Sequence, residues 1–296
     1  MSFKNVTVAG SGVLGYQIAF QTAFKGFNVV VYDINDVVLN KAKEKFNVLA
    51  AAYKNDLNAS EQQILETKAR MSYSSDLNKA LDEADLLIEA IPENPKIKIE
   101  FYQNAAKVAP SKTIFTTNSS TLLPSQFAEY TGRPEKFLAL HFANEIWIHN
   151  TAEIMSQPKT EVKVFNQVVE FAKQIGMIAL PLHKEQPGYI LNTLLVPLLD
   201  AATYLLVNDI ADYQTIDKTW MTATGSPIGP CGILDLVGIT TAYNINLMAL
   251  TKNPEKQKVV DYLKTNFIDT NKLGVNTGEG FYKYPNPIYK SKEFLK

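Results

Sequence analysis

The chain has 296 residues, 46% of them hydrophobic and 20% charged, a length better suited to two hydrophobic cores than to one. Its 29 basic and 30 acidic residues leave a net charge of −1, which argues against the basic surface of a nucleic-acid or membrane-surface binder. The single cysteine, Cys231, has no partner for an internal disulfide and no metal-ligand spacing around it, so the expected setting is reducing and cytoplasmic, with no metal site.

The N-terminus lacks the charged-then-apolar layout of a secretory signal. In chain order, Asn5–Ala9 predicts a strand, followed by a glycine-rich turn and a helix over about Val13–Lys25 that ends at Gly26. Asn28–Tyr32 predicts a second strand. The polar-apolar stretch that follows predicts two helices, about Asp36–Tyr53 and Ser60–Lys68. Further strands are expected at Asp85–Ala90, Thr113–Thr117, Phe137–Phe142, Thr151–Met155 and Met177–Leu182, with a helix over Thr160–Ile175 stopped by Gly176. Alternation of this kind predicts an α/β, Rossmann-type, mostly parallel sheet.

The character changes after Leu182. Lys184, Glu185, Gln186 and Pro187 form a polar break, beyond which Ile190–Asn208, Asp212–Thr222, Gly232–Met248 and Pro254–Thr265 all predict helices. The expected division is a dinucleotide-binding domain over 1–186 and an all-α domain over 187–296. The apolar stretch near 190–207 is interrupted by Asn192, Pro197 and Asp200, which predicts a buried helix, covered by a second copy of the chain, and no membrane span. The run Gly278-Glu279-Gly280-Phe281-Tyr282 predicts an aromatic tail folded back on its domain.

Gly10-Ser11-Gly12-Val13-Leu14-Gly15 is a complete G-x-G-x-x-G between a predicted strand and a predicted helix, the context this fingerprint requires. Gly10 permits the tight turn, Gly12 lets backbone N–H groups approach a pyrophosphate, and Gly15 lets the helix pack on the strand. The helix N-terminus then faces the negative charge. Asp33, eighteen residues past Gly15, ends the second strand where a carboxylate accepts ribose hydroxyls. Ile34 and Asn35 follow it rather than a cation, which favours NAD over NADP; FAD sites carry the same fingerprint and stay as an alternative.

Further segments end predicted strands on the ligand-binding side of an open sheet: Glu89–Lys98, Asn118–Leu122, and His141-Phe142-Ala143-Asn144 with Glu153 twelve residues beyond the histidine. Pro187-Gly188-Tyr189-Ile190-Leu191-Asn192 opens the helical part. With these motifs in this order the chain resembles the 3-hydroxyacyl-CoA dehydrogenase family, and its diketoreductase-like subgroup in particular. The matching segments run from GSGVLG through EAIPEN, NSSTLLPS, ALHFAN and GYILNTLLVPLLDAA to GEGFYKY. The resemblance implies a Rossmann-type domain with an appended helical domain, NAD-dependent interconversion of a 3-hydroxyacyl-CoA, or a related 3-hydroxy acid or ester, as the L (S) alcohol, and its 3-keto counterpart, and a homodimer formed through the helices. It assigns His141 as the catalytic histidine, Glu153 as its acidic partner, Ser120 as the serine near the reacting oxygen, with Ser119 as the alternative, and Asn192 as the asparagine from the helical domain. Its cofactor contacts fall on Gly10, Gly12, Val13, Leu14, Gly15, Asp33, Glu93, Lys98 and Asn118, and its substrate contacts on Ser120, Asn144 and Asn192.

The chemistry supports these residue types. Hydride transfer at C3 moves a proton on or off the oxygen, and histidine as a residue type titrates near neutrality. A carboxylate on the second ring nitrogen fixes the tautomer, and a hydroxyl and an amide can donate to the developing alkoxide. Asn144, on the same turn as His141, can orient the ring or the substrate. His149 and His183 lack such a setting. The family's His-Phe-Phe-Asn-Pro reads here as His141-Phe142-Ala143-Asn144-Glu145, followed by Ile146 and Trp147, which reshapes the acyl pocket. For the phosphates of coenzyme A the candidate cations are Lys41, Lys43, Lys45 and Lys54, a pattern that also suits a solvated helix face. The alternatives are a CoA-independent 3-keto or diketo reductase acting on a smaller 3-keto acid or ester, a 3-hydroxy acid or sugar-acid dehydrogenase, and a dinucleotide-binding protein without catalysis.

Overall fold

The computed structural model describes residues 3–296 and separates into two compact units, Met1–Ile190 and Leu191–Lys296. The first unit contains the strands β1 (Asn5–Ala9), β2 (Asn28–Tyr32), β3 (Met71–Ser74), β4 (Leu86–Glu89), β5 (Ile114–Thr117), β6 (Phe137–Phe142), β7 (Thr151–Ser156) and β8 (Ile178–Leu182). They form one eight-stranded sheet in the order β3-β2-β1-β4-β5-β6-β7-β8. All neighbours are parallel except β6 and β7, which run antiparallel.

The helices between the strands are α1 (Gly15–Phe24), α2 (Asp36–Leu57), α3 (Glu61–Ala69), α4 (Leu77–Leu81), α5 (Pro95–Val108) and α6 (Val162–Gln174). A strand sends alternate side chains to opposite faces, so Leu86 and Ile88 of β4 join the core under α1, α2 and α6, whereas Leu87 joins Phe101, Tyr102 and Phe115 on the other side. Burial on both faces is why the parallel strands read as continuous apolar runs.

Three elements of this unit were not expected from the sequence. β3 reads Met-Ser-Tyr-Ser, lies at the sheet edge against β2 alone, and is only partly buried, so it has no apolar signature to betray it. α4 is five residues long. α5 starts where Asn94 caps it, accepting the N–H groups of Lys96 and Ile97, with Pro95 in the first turn. Asn-Pro signals a helix start as well as a turn, and here tertiary packing of Phe101, Tyr102 and Ala105 decides for the helix.

The second unit is helical: α7 (Tyr189–Val207, which begins just before the boundary), α8 (Tyr213–Thr224), α9 (Pro230–Val237), α10 (Ile239–Ala249) and α11 (Gln257–Leu263). The single helix expected over Gly232–Met248 is broken in two at Gly238, whose φ of +90° lies outside helical space. α11 is shorter than expected, flanked by a 3-10 turn at Pro254–Lys256 and a π turn at Lys264–Ile268. α7 is long and apolar enough to cross a membrane by length and composition alone, and it carries Pro197 in its interior. Its apolar side chains are largely uncovered in the single chain, with Leu194 69% and Tyr204 58% exposed.

The core of this unit gathers Leu234, Ile239, Leu263, Phe267, Phe281 and Tyr282 around two buried aspartates. Asp217 accepts the N–H groups of Cys231 and Gly232 and the hydroxyl of Tyr282, and Asp235 accepts the N–H groups of Phe281 and Tyr282 and the hydroxyl of Tyr284. Burial pushes both carboxyls up from the ordinary aspartate value, and these donors pull the other way. Each acid thus accepts three hydrogen bonds, and through them the aromatic tail is held on its domain.

Gly280 leaves no room for a methyl group, because a Cβ there would lie 2.0 Å from Asp235 Oδ1. Gly280→Ala is expected to destabilise the chain by about 3 kcal/mol, read as a lower denaturation midpoint; an unchanged midpoint would show that the tail is not held through Asp235.

Candidate active site

The strand order turns back at β1, and a cleft of about 670 Å³ opens at the carboxyl ends of β1, β2 and β4, lined by the glycine turn, Asp33, Lys45, Ala90, Ile91 and Phe101 among others. Open α/β sheets place their ligands at such a point. Gly10 has φ +96° and approaches the Ala90 carbonyl so closely that a Cβ would sit 2.5 Å from it. A Cβ on Gly15 would lie 1.8 Å from the Gly10 carbonyl. A Cβ on Gly12 would meet nothing within 4 Å, so the space above this residue is open for a pyrophosphate approaching the start of α1. Asp33 Oδ2 accepts the N–H and hydroxyl of Ser11 at 2.8 and 2.6 Å, and Oδ1 accepts Ile34 N–H at 2.8 Å. Three of about four acceptor positions are used, which leaves one for a ribose hydroxyl. Val13, 63% exposed, and Leu14 complete the turn.

At the ends of β4 and β5, Glu89 is fully buried with four donors on it: Lys98 Nζ at 2.6 Å, Ile91 N–H, Tyr102 Oη and Thr117 Oγ. Lys98 is 1% exposed and also pairs with Glu93 at 3.3 Å, so any part it has in holding a cofactor runs through Glu93 and not through direct exposure to the cleft. Burial pushes the Glu93 carboxyl up, but the Ser119 hydroxyl, the Thr121 donors and the Lys98 ammonium outweigh it and hold it below the ordinary range. Asn118 accepts the N–H of Phe142, which leaves its amino group as a donor.

β6 and β7 bring the reactive groups together. Their register sets His141 directly opposite Glu153, and His141 Nδ1 lies 3.1 Å from Glu153 Oε2 with both side chains buried. The other carboxylate oxygen accepts the N–H of Ile190 at 2.9 Å. A carboxylate only accepts, so the proton sits on Nδ1, and Nε2 is left for acid–base work. Ser120 Oγ stands 3.1 Å from Nε2. Ser119 is turned away, its hydroxyl donating to Glu93. Asn144 follows β6 in the adjoining loop, and Asn192 lies at the start of α7.

Tyr189 is the site residue that sequence reasoning missed. Its ring stacks on His141 with centroids 4.3 Å apart and planes 13° from parallel, and its hydroxyl donates to the Ser119 carbonyl at 2.7 Å. Burial, reinforced by nearby carboxylates, pushes its phenol up, so it stays a neutral donor. Its φ of +55° is strained for a non-glycine residue, at a cost of roughly 1–3 kcal/mol. The Pro-Gly before it marks a turn, but nothing in the sequence says where that turn points the ring.

Residues 5–186 match the model of the 3-hydroxyacyl-CoA dehydrogenase NAD binding domain, and residues 188–284 match the C-terminal domain of the same enzymes. The chain belongs to the 3-hydroxyacyl-CoA dehydrogenase family. Human mitochondrial hydroxyacyl-coenzyme A dehydrogenase is 34% identical over 289 residues, covering 95% of this chain and 91% of the relative. A diketoreductase, solved in work on dual catalysis of dicarbonyl compounds, is 54% identical with a TM-score of 0.93, covering 96% of this chain and 100% of that one. (S)-3-hydroxybutyryl-CoA dehydrogenase from Ralstonia eutropha, at 24% identity, shares the fold with a TM-score of 0.83, over 96% of this chain and 100% of that one.

Membership makes the chain an NAD-dependent oxidoreductase acting on CH–OH groups. The open space at Gly12, the acceptor left on Asp33 and the start of α1 fit NAD. Lys45, twelve residues past Asp33, also lines this cleft, with Nζ 3.5 Å from the Ser11 carbonyl, a cation that adjacency to Asp33 in sequence does not reveal. Asp33→Ala is expected to weaken NADH binding and to erode the preference over NADPH, measured by fluorescence titration of both. A wild type that already prefers NADPH would contradict the role given to Asp33.

Proposed function

We propose that the chain interconverts small 3-keto acids or esters and their 3-hydroxy counterparts with NAD, and that coenzyme A is not required. The hydrogen-bonded line Ser120–His141–Glu153 carries this reading: it presents one ring nitrogen and one hydroxyl to a single oxygen atom of the substrate. NAD held at the glycine turn and Asp33 would, in its reduced form, supply the hydride to C3. As the C–H bond forms, the carbonyl oxygen becomes an alkoxide and takes the proton from His141 Nε2, while Ser120 donates a hydrogen bond to it. Glu153 keeps Nδ1–H in place and stabilises the positive ring before the proton leaves. In the oxidation direction Nε2 removes the hydroxyl proton. Tyr189 holds the ring plane, and through Ser119 it ties the serine loop to the histidine.

Two observations support the small substrate. The similarity to a diketoreductase studied with dicarbonyl compounds is much higher than that to the acyl-CoA enzymes. Three of the four lysines on α2 are also engaged elsewhere: Lys54 pairs with Glu61, Lys43 contacts Asn40 and lies over Tyr73, and Lys45 lines the dinucleotide cleft, whereas Lys41 is exposed. Asp56, on the same helix, accepts the indole N–H of Trp147, so a negative charge stands beside the altered loop. Coenzyme A phosphates need unpaired cations. The second reading, an acyl-CoA substrate, is favoured by the family itself. The exposed apolar side chains of α7 support a homodimer through the helical unit.

His141→Ala is expected to lower kcat by about 10²–10⁴-fold with little change in NADH affinity; retained turnover with lost cofactor binding would sink the assignment. NADH oxidation with ethyl acetoacetate and with acetoacetyl-CoA in parallel tests the substrate. The simple ester is expected to give the higher kcat/KM, and faster turnover of the thioester would place the chain with the acyl-CoA enzymes.

A further inference from the structure

The loop after His141 departs from the family where a proline would stand, and the structure reveals what constrains it instead. Glu145 occupies that position with φ +58°, a conformation closed to proline, whose ring holds φ near −65° and removes the N–H. The Glu145 N–H is in use: it donates to Gln17 Oε1 at 2.8 Å, and Ile146 N–H reaches the same oxygen at 3.4 Å. Gln17 lies on α1, two residues past the last glycine of the fingerprint, and is 2% exposed. Its Nε2 donates to the Val13 carbonyl at 2.8 Å and to Asn144 Oδ1 at 2.7 Å.

These partners leave no freedom in either amide. Backbone N–H groups only donate and a backbone carbonyl only accepts, so Oε1 must face Glu145 and Ile146, and Nε2 must face Val13. The atom of Asn144 that meets Nε2 is therefore its oxygen. Its amino group, on an exposed side chain three residues past His141, is turned outward as a donor.

We infer that Gln17 is a positioning residue for the reaction: it replaces the missing proline as the brace of the 143–146 loop and forces Asn144 to act as a hydrogen-bond donor to a carbonyl oxygen of the bound reactants. That oxygen belongs either to the keto substrate or to the nicotinamide carboxamide. Either way, the cofactor turn and the loop after the catalytic histidine move as one piece, because the same side chain grips Val13 and Asn144. The inference rests on the keto-reductase reading above.

The test uses Gln17→Met, which keeps the buried volume, and Gln17→Glu, which keeps the acceptor but sets a second oxygen against Val13 and Asn144. Each is made in the wild-type and the Asn144→Ala backgrounds. Gln17→Met is expected to speed amide exchange at Glu145 and to lower kcat/KM for ethyl acetoacetate about three- to tenfold, the worth of one hydrogen bond. In the Asn144→Ala background the same exchange should change kcat/KM by less than about twofold. Gln17→Glu should preserve the slow exchange at Glu145 and still lose kcat/KM, because it turns the Asn144 amide around. A raised Kd for NADH assigns the carbonyl to the carboxamide; a raised KM for the ester with unchanged NADH binding assigns it to the substrate. Equal losses in both backgrounds, unchanged exchange in Gln17→Met, or wild-type kcat/KM in Gln17→Glu would overturn the inference. A wild type that reduces neither keto ester nor thioester sinks the reductase reading instead, while exchange at Glu145 still judges the brace by itself.

Discussion

The antiparallel pairing of β6 with β7, inside a sheet that is otherwise parallel, is the constraint on which the reactive centre depends. It places residues twelve apart in sequence directly opposite each other, so His141 and Glu153 share one face and one hydrogen bond. A register slip of one residue would turn Glu153 to the other face of the sheet and leave the imidazole without its partner. Ser120 reaches Nε2 from the end of β5, Tyr189 stacks on the ring, and the Ile190 N–H takes the second carboxylate oxygen.

A second pattern recurs through both units. Irregular backbone at the ends of strands and helices carries N–H groups without ladder partners, and in this protein acidic side chains accept many of them. Asp33 takes Ser11 and Ile34, Glu93 takes Thr121, Glu153 takes Ile190, Asp217 takes Cys231 and Gly232, and Asp235 takes Phe281 and Tyr282. A buried carboxylate is costly unless its oxygens are filled. The buried ones, Glu153, Asp217 and Asp235, therefore both hold a loop and depend on it, which gives precise geometry to segments that lack regular structure. Where the acceptor must be neutral, Gln17 does the same for the loop after His141.

Much of the fold was legible because β1, β2 and β6 are short β-branched or apolar runs bounded by turn residues. They were placed to the residue for that reason. The same logic explains the failures. β3 is a half-polar edge strand, and the start of α5 carries a dipeptide that serves turns and helices alike. Gly238 breaks a helix that periodicity alone would continue, since a glycine can lie within a helix or end one. In the site, the glycine turn, Asp33, His141 and Glu153 stand out in sequence because their spacing is tied to strands. Gln17 and Tyr189 do not, because a glutamine or a tyrosine on a helix is ordinary until its neighbours are known.

By itself the sequence determined the α/β order of elements, the dinucleotide turn and the family, since these are local or are carried by motifs with fixed spacing. Only the tertiary structure decided which serine stands at the histidine, that Lys98 faces inward to two glutamates, and that a buried glutamine reads out the orientation of Asn144. The physical reason is direction: spacing along a chain says which residues can be near each other, but the choice of donor and acceptor is made only when backbone groups from separate segments converge on one side chain.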